Sequence, residues 1–166
     1  MVVVAMLCAA VVVRAGDLQI TVEKKRTDAG AGRPMGSVEQ KKETKWLYQV
    51  KVANNSFTAD PALQARYMIF LQRQNMGGKM NETTIESVKG SAPLQAVAAH
   101  GNASFQTSEF TLKEQVLAAG WVYASGGSTK AQDGIAGVWI KLFDGDKLVA
   151  EYKNPSTIDS KQQWAQ

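Results

Sequence analysis

Apolar residues in this chain recur at every second position, and no other feature constrains its fold as much. Leu18, Ile20 and Val22 mark one face of an opening strand, and Trp46, Tyr48, Val50 and Val52 one face of a second. Leu63, Ala65, Tyr67, Ile69 and Leu71 repeat the pattern in a third. A period of two puts alternate side chains on opposite faces of an extended chain, whereas a helix needs spacings of three and four. Weaker strands are expected at Thr83–Val88, Ser104–Thr111 and Trp121–Ala124. A stronger one runs from Ile135 to Phe143, with Val138, Ile140 and Leu142 on one face, and meets Leu148–Tyr152 across Asp144-Gly145. Asp-Gly between alternating runs signals a hairpin, because glycine takes the positive φ that a tight turn requires.

Two stretches break the alternation. Thr111-Leu-Lys-Glu114 has the form of a capping box, predicting a short helix that ends at Gly120. Ser156-Thr-Ile-Asp159 predicts a second, reaching toward Trp164, with a loose tail as the alternative. About eight strands with one or two short helices make the chain all-β, an antiparallel sandwich of two sheets, with a barrel as the second choice.

The N-terminal run Met1–Val13 is too short for the roughly 20 residues of a membrane-crossing helix, and it has the length of a secretory h-region. Val13-Arg14-Ala15 resembles a cleavage site, so residues 1–15 are read as a signal peptide and 16–153 as the sandwich, with 154–166 a tail or short helix. The missing basic n-region and Arg14 depart from the pattern. Bulky Leu7 argues against lipid attachment at Cys8. Cleavage would remove the one cysteine, leaving an exported domain stabilised by its core and not by disulfides. No membrane-spanning segment is expected in the mature chain.

One His and one Cys nearly exclude the commonest nucleophile–base pairs and zinc sites, so neither cofactor nor metal is expected. His100 is read as a surface loop residue. Asp144-Gly145-Asp146 is read as turn chemistry, since Leu148 stands where a calcium loop needs an oxygen ligand. A two-carboxylate glycosidase depends on spatial separation, and no motif marks one, so an enzyme is the disfavoured reading. Three triplets, at Asn54, Asn81 and Asn102, match glycosylation sequons. The net charge of +4, or +3 once Arg14 is removed, is too small to argue for nucleic acid.

Lys24, Lys25 and Arg26, with Lys41, Lys42 and Lys45, flank a glycine-rich connection containing Gly30, Gly32, Pro34 and Gly36. They are read either as guards of a strand edge or as contacts for an anionic glycan or surface polymer. Ser125–Lys130 lacks phosphate-loop order and reads as a hairpin loop.

Two strands are apolar on both faces. With Tyr67, Ile69 and Leu71 inward, Met68 and Phe70 point outward; with Val138, Ile140 and Leu142 inward, Trp139 and Phe143 do the same. If these strands are neighbours, the four side chains form one outer apolar patch. Either the chain covers it, through Pro93–Ala99 or the Trp164 tail, or a partner subunit does.

The segment Gly137-Val-Trp-Ile-Lys-Leu-Phe-Asp-Gly-Asp-Lys-Leu-Val-Ala-Glu-Tyr-Lys-Asn-Pro-Ser156, with Trp46-Leu-Tyr-Gln-Val-Lys-Val52, resembles small secreted immunoglobulin-like proteins associated with type IV pilus-like systems of mucus-dwelling gut bacteria. The likeness spans Trp46 to Trp164 and supplies no catalytic residue. It implies an immunoglobulin-like sandwich at the outer membrane or cell surface, acting in adhesion or pilus assembly as an accessory component. The expected partner is a protein of the cell envelope, a pilus component or a second copy. A glycan-binding module, with Trp121 and Tyr123 as candidate contacts, and a periplasmic chaperone are the alternatives.

Overall fold

The computed structural model describes residues 17–28, 38–77, 82–124 and 126–164. The leader with its cut after Ala15, Cys8, the loop residues Gly30, Gly32, Pro34 and Gly36, and Asn81 lie outside them. Within the described residues the chain forms β1 (Leu18–Arg26), β2 (Glu39–Asn54), β3 (Leu63–Gln74), β4 (Thr83–Leu94), β5 (Asn102–Gln106), β6 (Phe110–Leu117), β7 (Lys130–Gln132), β8 (Gly134–Asp144) and β9 (Lys147–Asn154). All pair antiparallel in two sheets, one ordered β1-β2-β6-β7 with β5 also on β2, the other β4-β3-β8-β9. The molecule is a β-sandwich, as the alternation predicts.

The two sheets bury the alternating residues against each other. Val50, Val52, Ile69, Leu71, Ile140 and Leu142 are each 0% exposed and fill the centre of the core. Burial of such side chains contributes about 1.5 to 3 kcal/mol apiece. Tyr67 spans the sandwich: its ring leans over Gly90 of β4, where any Cβ would collide with it, and its hydroxyl accepts a hydrogen bond from Ser108 N at 2.7 Å. Ser108 lies in the break between β5 and β6, which pair with successive parts of β2 as one interrupted strand.

The predicted helix at Thr111–Glu114 is corrected: these residues belong to β6. A capping box describes only local hydrogen bonds, and the ladder with Glu39–Trp46 of β2 supplies more of them while burying Phe110 in the core. Trp121–Ala124 forms no strand. The β8–β9 turn is centred on Gly145-Asp146 and not on Asp144-Gly145, because Asp144 pairs with Lys147; Gly145, at φ +56°, takes the first central position. The expected C-terminal helix is a single 3-10 turn at Ile158–Ser160, flanked by Thr157 without a side-chain cap.

Polar groups inside the sandwich are satisfied. Asn54, 1% exposed, donates to Thr58 O at 2.7 Å and Val97 O at 3.3 Å and accepts from Ser56 N at 2.8 Å. Its amide is therefore closed to a glycan, unlike exposed Asn102. Asp133, in the crossing between β7 and β8, accepts from Arg73 Nη1 at 2.6 Å and from Lys113 N at 3.0 Å, while Arg73 also reaches Thr111 O and Glu86. The pair ties β3 of one sheet to β6 of the other.

Candidate functional site

The register of β3 on β8 sets Met68 opposite Trp139, Phe70 opposite Gly137 and Gln64 opposite Phe143. Met68, Phe70, Trp139 and Phe143 therefore share the outer face of the second sheet. Three of them are not open to a partner. Met68, Phe70 and Trp139 are 3%, 2% and 6% exposed and cluster with Ile158 and Trp164 of the C-terminal segment. Phe143, half-buried at the far end, carries the Arg66 guanidinium over its ring at 4.7 Å. As partner contacts Met68, Phe70 and Trp139 are corrected, because the chain's own C-terminal segment covers them, while Phe143 lies outside that cluster. Pro93–Ala99, the other proposed cover, serves the core instead, since Leu94 and Val97 belong to the inner cluster.

The C-terminal strap is held at several points. Gly137 leaves the room that Ile158 fills, and a methyl added there would overlap Ile158 Cδ1 and Asn154 O. Trp164 packs edge-on against Trp139 at 5.2 Å, and Lys141 lies 4.4 Å above the Trp164 ring. Trp139 Nε1 donates to Glu151 at 2.8 Å. Lys153 bridges Asp159 at 2.6 Å and Glu151 at 3.1 Å. The hydrogen bond from Lys153 holds the Asp159 carboxyl below its ordinary value and raises the lysine above its own. A depressed carboxyl adds stability above its unfolded pKa of 3.8 and loses it as pH falls through the lower folded value. An Asp159→Asn variant should thus be less stable than the parent at pH 7, with the gap narrowing as pH falls below 3.8, measured by urea titration of tryptophan fluorescence. A gap that persists in acid would show that the strap does not depend on this charge.

The basic cluster is divided by the same alternation. Lys24 pairs in register with Tyr48 and Arg26 with Trp46, so both take the inward phase of β1, as Lys42 does on β2. Lys25, Lys41 and Lys45 take the outward phase. Lys25 lies 3.9 Å from Glu23 and Lys41 3.3 Å from Glu39. The six residues do not make one site.

Lys24, Arg26 and Lys42 do come together. Past Val22 on β1 and Trp46 on β2 the inner phase turns from apolar to polar and charged, and these three cations, joined by Lys113 of β6, line an open cavity of about 510 Å³. Trp46, Leu112 and Asp133-Gly134-Ile135 line it as well. The Lys24 ammonium sits 4.3 Å from the Trp46 ring centroid. Arg26 Nε donates to Asp28 at 2.9 Å, which keeps that carboxyl below the usual range. Lys42 stands opposite Glu114 across the β2–β6 ladder. Such a surface can hold an anion, with polar neighbours for hydroxyl or amide groups. Sequence reasoning named these residues but not their division, which depends on the strand phase.

Trp121 is 57% exposed in a turn, and half-buried Tyr123 lies against Gly77, so the two do not form a shared ring platform. His100 is exposed at φ +54°, edge-on to Phe57 at 4.8 Å. Among the described residues no three His, Cys, Asp or Glu side chains gather as metal ligands, and no helix is long and apolar enough to cross a membrane.

No protein-family model matches the chain, and no curated protein matches it in sequence. Among solved structures, an X-ray structure of a Northeast Structural Genomics Consortium target aligns at 12% identity over 76% of this chain and 84% of its own, with a TM-score of 0.36. A crystal structure from Akkermansia muciniphila aligns at 10% identity over 89% of this chain and 77% of its own, with a TM-score of 0.33. Superpositions this loose bear on neither ligand nor partner.

Proposed function

We propose that this chain is an exported, non-catalytic binding module of a bacterial envelope, serving as an accessory component of a type IV pilus-like system in adhesion. The observation that carries the binding reading is the convergence of Lys24, Arg26 and Lys42 on one open cavity that Trp46 also lines. Cations at the inward phase of a sandwich are costly under a second sheet and useful where that cover stops. The strand orders β1-β2-β6 and β4-β3-β8-β9 support an immunoglobulin-like topology, although β7 follows β6 where the corresponding strand of that fold precedes it. The apolar outer face, closed by the strap, favours neither a chaperone nor a docking subunit there. The pilus setting rests on the resemblance of Gly137–Ser156 and Trp46–Val52.

Expression with the native leader tests this reading. The protein should be recovered from the envelope fraction with an intact mass that begins at Gly16 and lacks any thiol, and mild crosslinking should join it to surface components. Reversal of Lys24 and Lys42 to Glu should release it into the soluble exported fraction. Retention in the cytosol, or envelope association indifferent to both reversals, would refute the proposal.

A further inference from the structure

The geometry points to a linear anionic glycan as the ligand of the inner-face groove, laid along β1 and β2 with its acidic groups on Lys24, Arg26 and Lys42. This inference rests on the binding-module reading and names its ligand. The first argument is spacing. Lys24 and Arg26 are two residues apart on one strand, about 7 Å. Arg26 is level with Trp46, and Lys42 stands four residues further along β2, about 13 Å away. The three charges thus form a row of about 20 Å along the strand direction. A single phosphate or sulfate reaches one or two of them, whereas a chain with repeated charges meets all three.

The second argument is what accompanies the cations. Thr44, Glu114 and Gln132 occupy the same inward phase on β2, β6 and β7 and line the same cavity. A hydroxyl, a carboxylate and an amide are partners for sugar hydroxyls. Glu114 would repel a dense polyphosphate but accepts hydrogen bonds from a polyol. Single-stranded nucleic acid is disfavoured for another reason: it needs a succession of open aromatic faces, and the groove has Trp46 alone, with Lys24 already over its ring. Asp28 shares Arg26, leaving Lys24 and Lys42 as the principal contacts.

The division of the cluster supplies the control. Lys25→Glu with Lys45→Glu changes net charge as much as Lys24→Glu with Lys42→Glu, but on the opposite face. Binding of the purified full chain to heparin, polygalacturonate, neutral dextran and poly(dT) is measured by titration calorimetry at low and physiological salt, after thermal melts confirm that each variant is folded. The parent should bind the two acidic glycans, weakening as salt rises, and ignore dextran. The inner pair should lose about tenfold or more in affinity, and the outer pair less than about threefold. Equal losses in the two pairs would reduce the effect to general charge attraction and overturn the site. Tighter binding of poly(dT), or no binding of either acidic glycan, would overturn the ligand class. A chain that reaches the envelope yet binds no acidic glycan loses this inference alone. One that binds the glycans but never leaves the cytosol loses the exported-module reading instead.

Discussion

Replacing Phe70 with Ala should lower the unfolding free energy by about 3 to 4 kcal/mol, as at a core position, although Phe70 belongs to the outer face of its sheet. The residue is 2% exposed because Ile158 and its neighbours lie over it. For a chain of this size such a loss lowers the melting temperature by about 10 °C. Ile158→Asp provides the companion measurement. A carboxylate is costly to bury among Met68, Phe70 and Trp139 over Gly137, so the strap should lift while the inner core stays intact. Tryptophan emission should then shift to the red, and a hydrophobic dye should bind the uncovered Met68, Phe70 and Trp139. A melting temperature within about 2 °C of the parent for Phe70→Ala would show that the strap does not seal this face in solution.

Arg73→Met should cost a similar amount, about 3 kcal/mol, by a different route. The Asp133 side chain is 4% exposed and accepts from Arg73 Nη1 at 2.6 Å. Removing the guanidinium strands a buried carboxylate with only backbone N–H donors, those of Lys113 at 3.0 Å and Gln74 at 3.4 Å. Taking out one partner of a buried pair is more damaging than replacing both, so the double change Arg73→Met with Asp133→Asn should recover part of the loss. Arg73 also touches Glu86, 55% exposed at its side chain, and that contact should matter little. Urea titration of the single and double variants checks both statements. A double variant weaker than the sum of its parts would show that Asp133 acts through its backbone bonds and not through the charge pair.

Both effects arise from residues whose importance a sequence shows unevenly. The strong strands were legible because their inward positions are nearly all apolar: Leu18 to Val22, Trp46 to Val52, Leu63 to Leu71 and Val138 to Leu142 lie where alternation puts them. The double-faced apolar pattern of Met68, Phe70 and Trp139 was equally legible as an anomaly that needed a cover. Thr111–Glu114 was misread because its local capping signal competes with a ladder to a strand some seventy residues earlier in the chain. Arg73 and Asp133 carried no signal at all, since a buried ion pair between residues sixty apart has no local pattern.

The sequence by itself determined that the chain is β, which side chains share a face, and that one outer face could not be left to water. These are properties of strand geometry, in which neighbouring side chains must point apart. Tertiary structure decided the rest. It chose Ile158 and Trp164 as the cover for that face, because Gly137 leaves a hollow opposite Phe70 that Ile158 of the returning segment fills. It also split one run of basic residues into two surfaces and brought Lys24, Arg26 and Lys42 to a common cavity, because strand phase and the limit of the second sheet's cover, neither of them local, fix where each charge ends up.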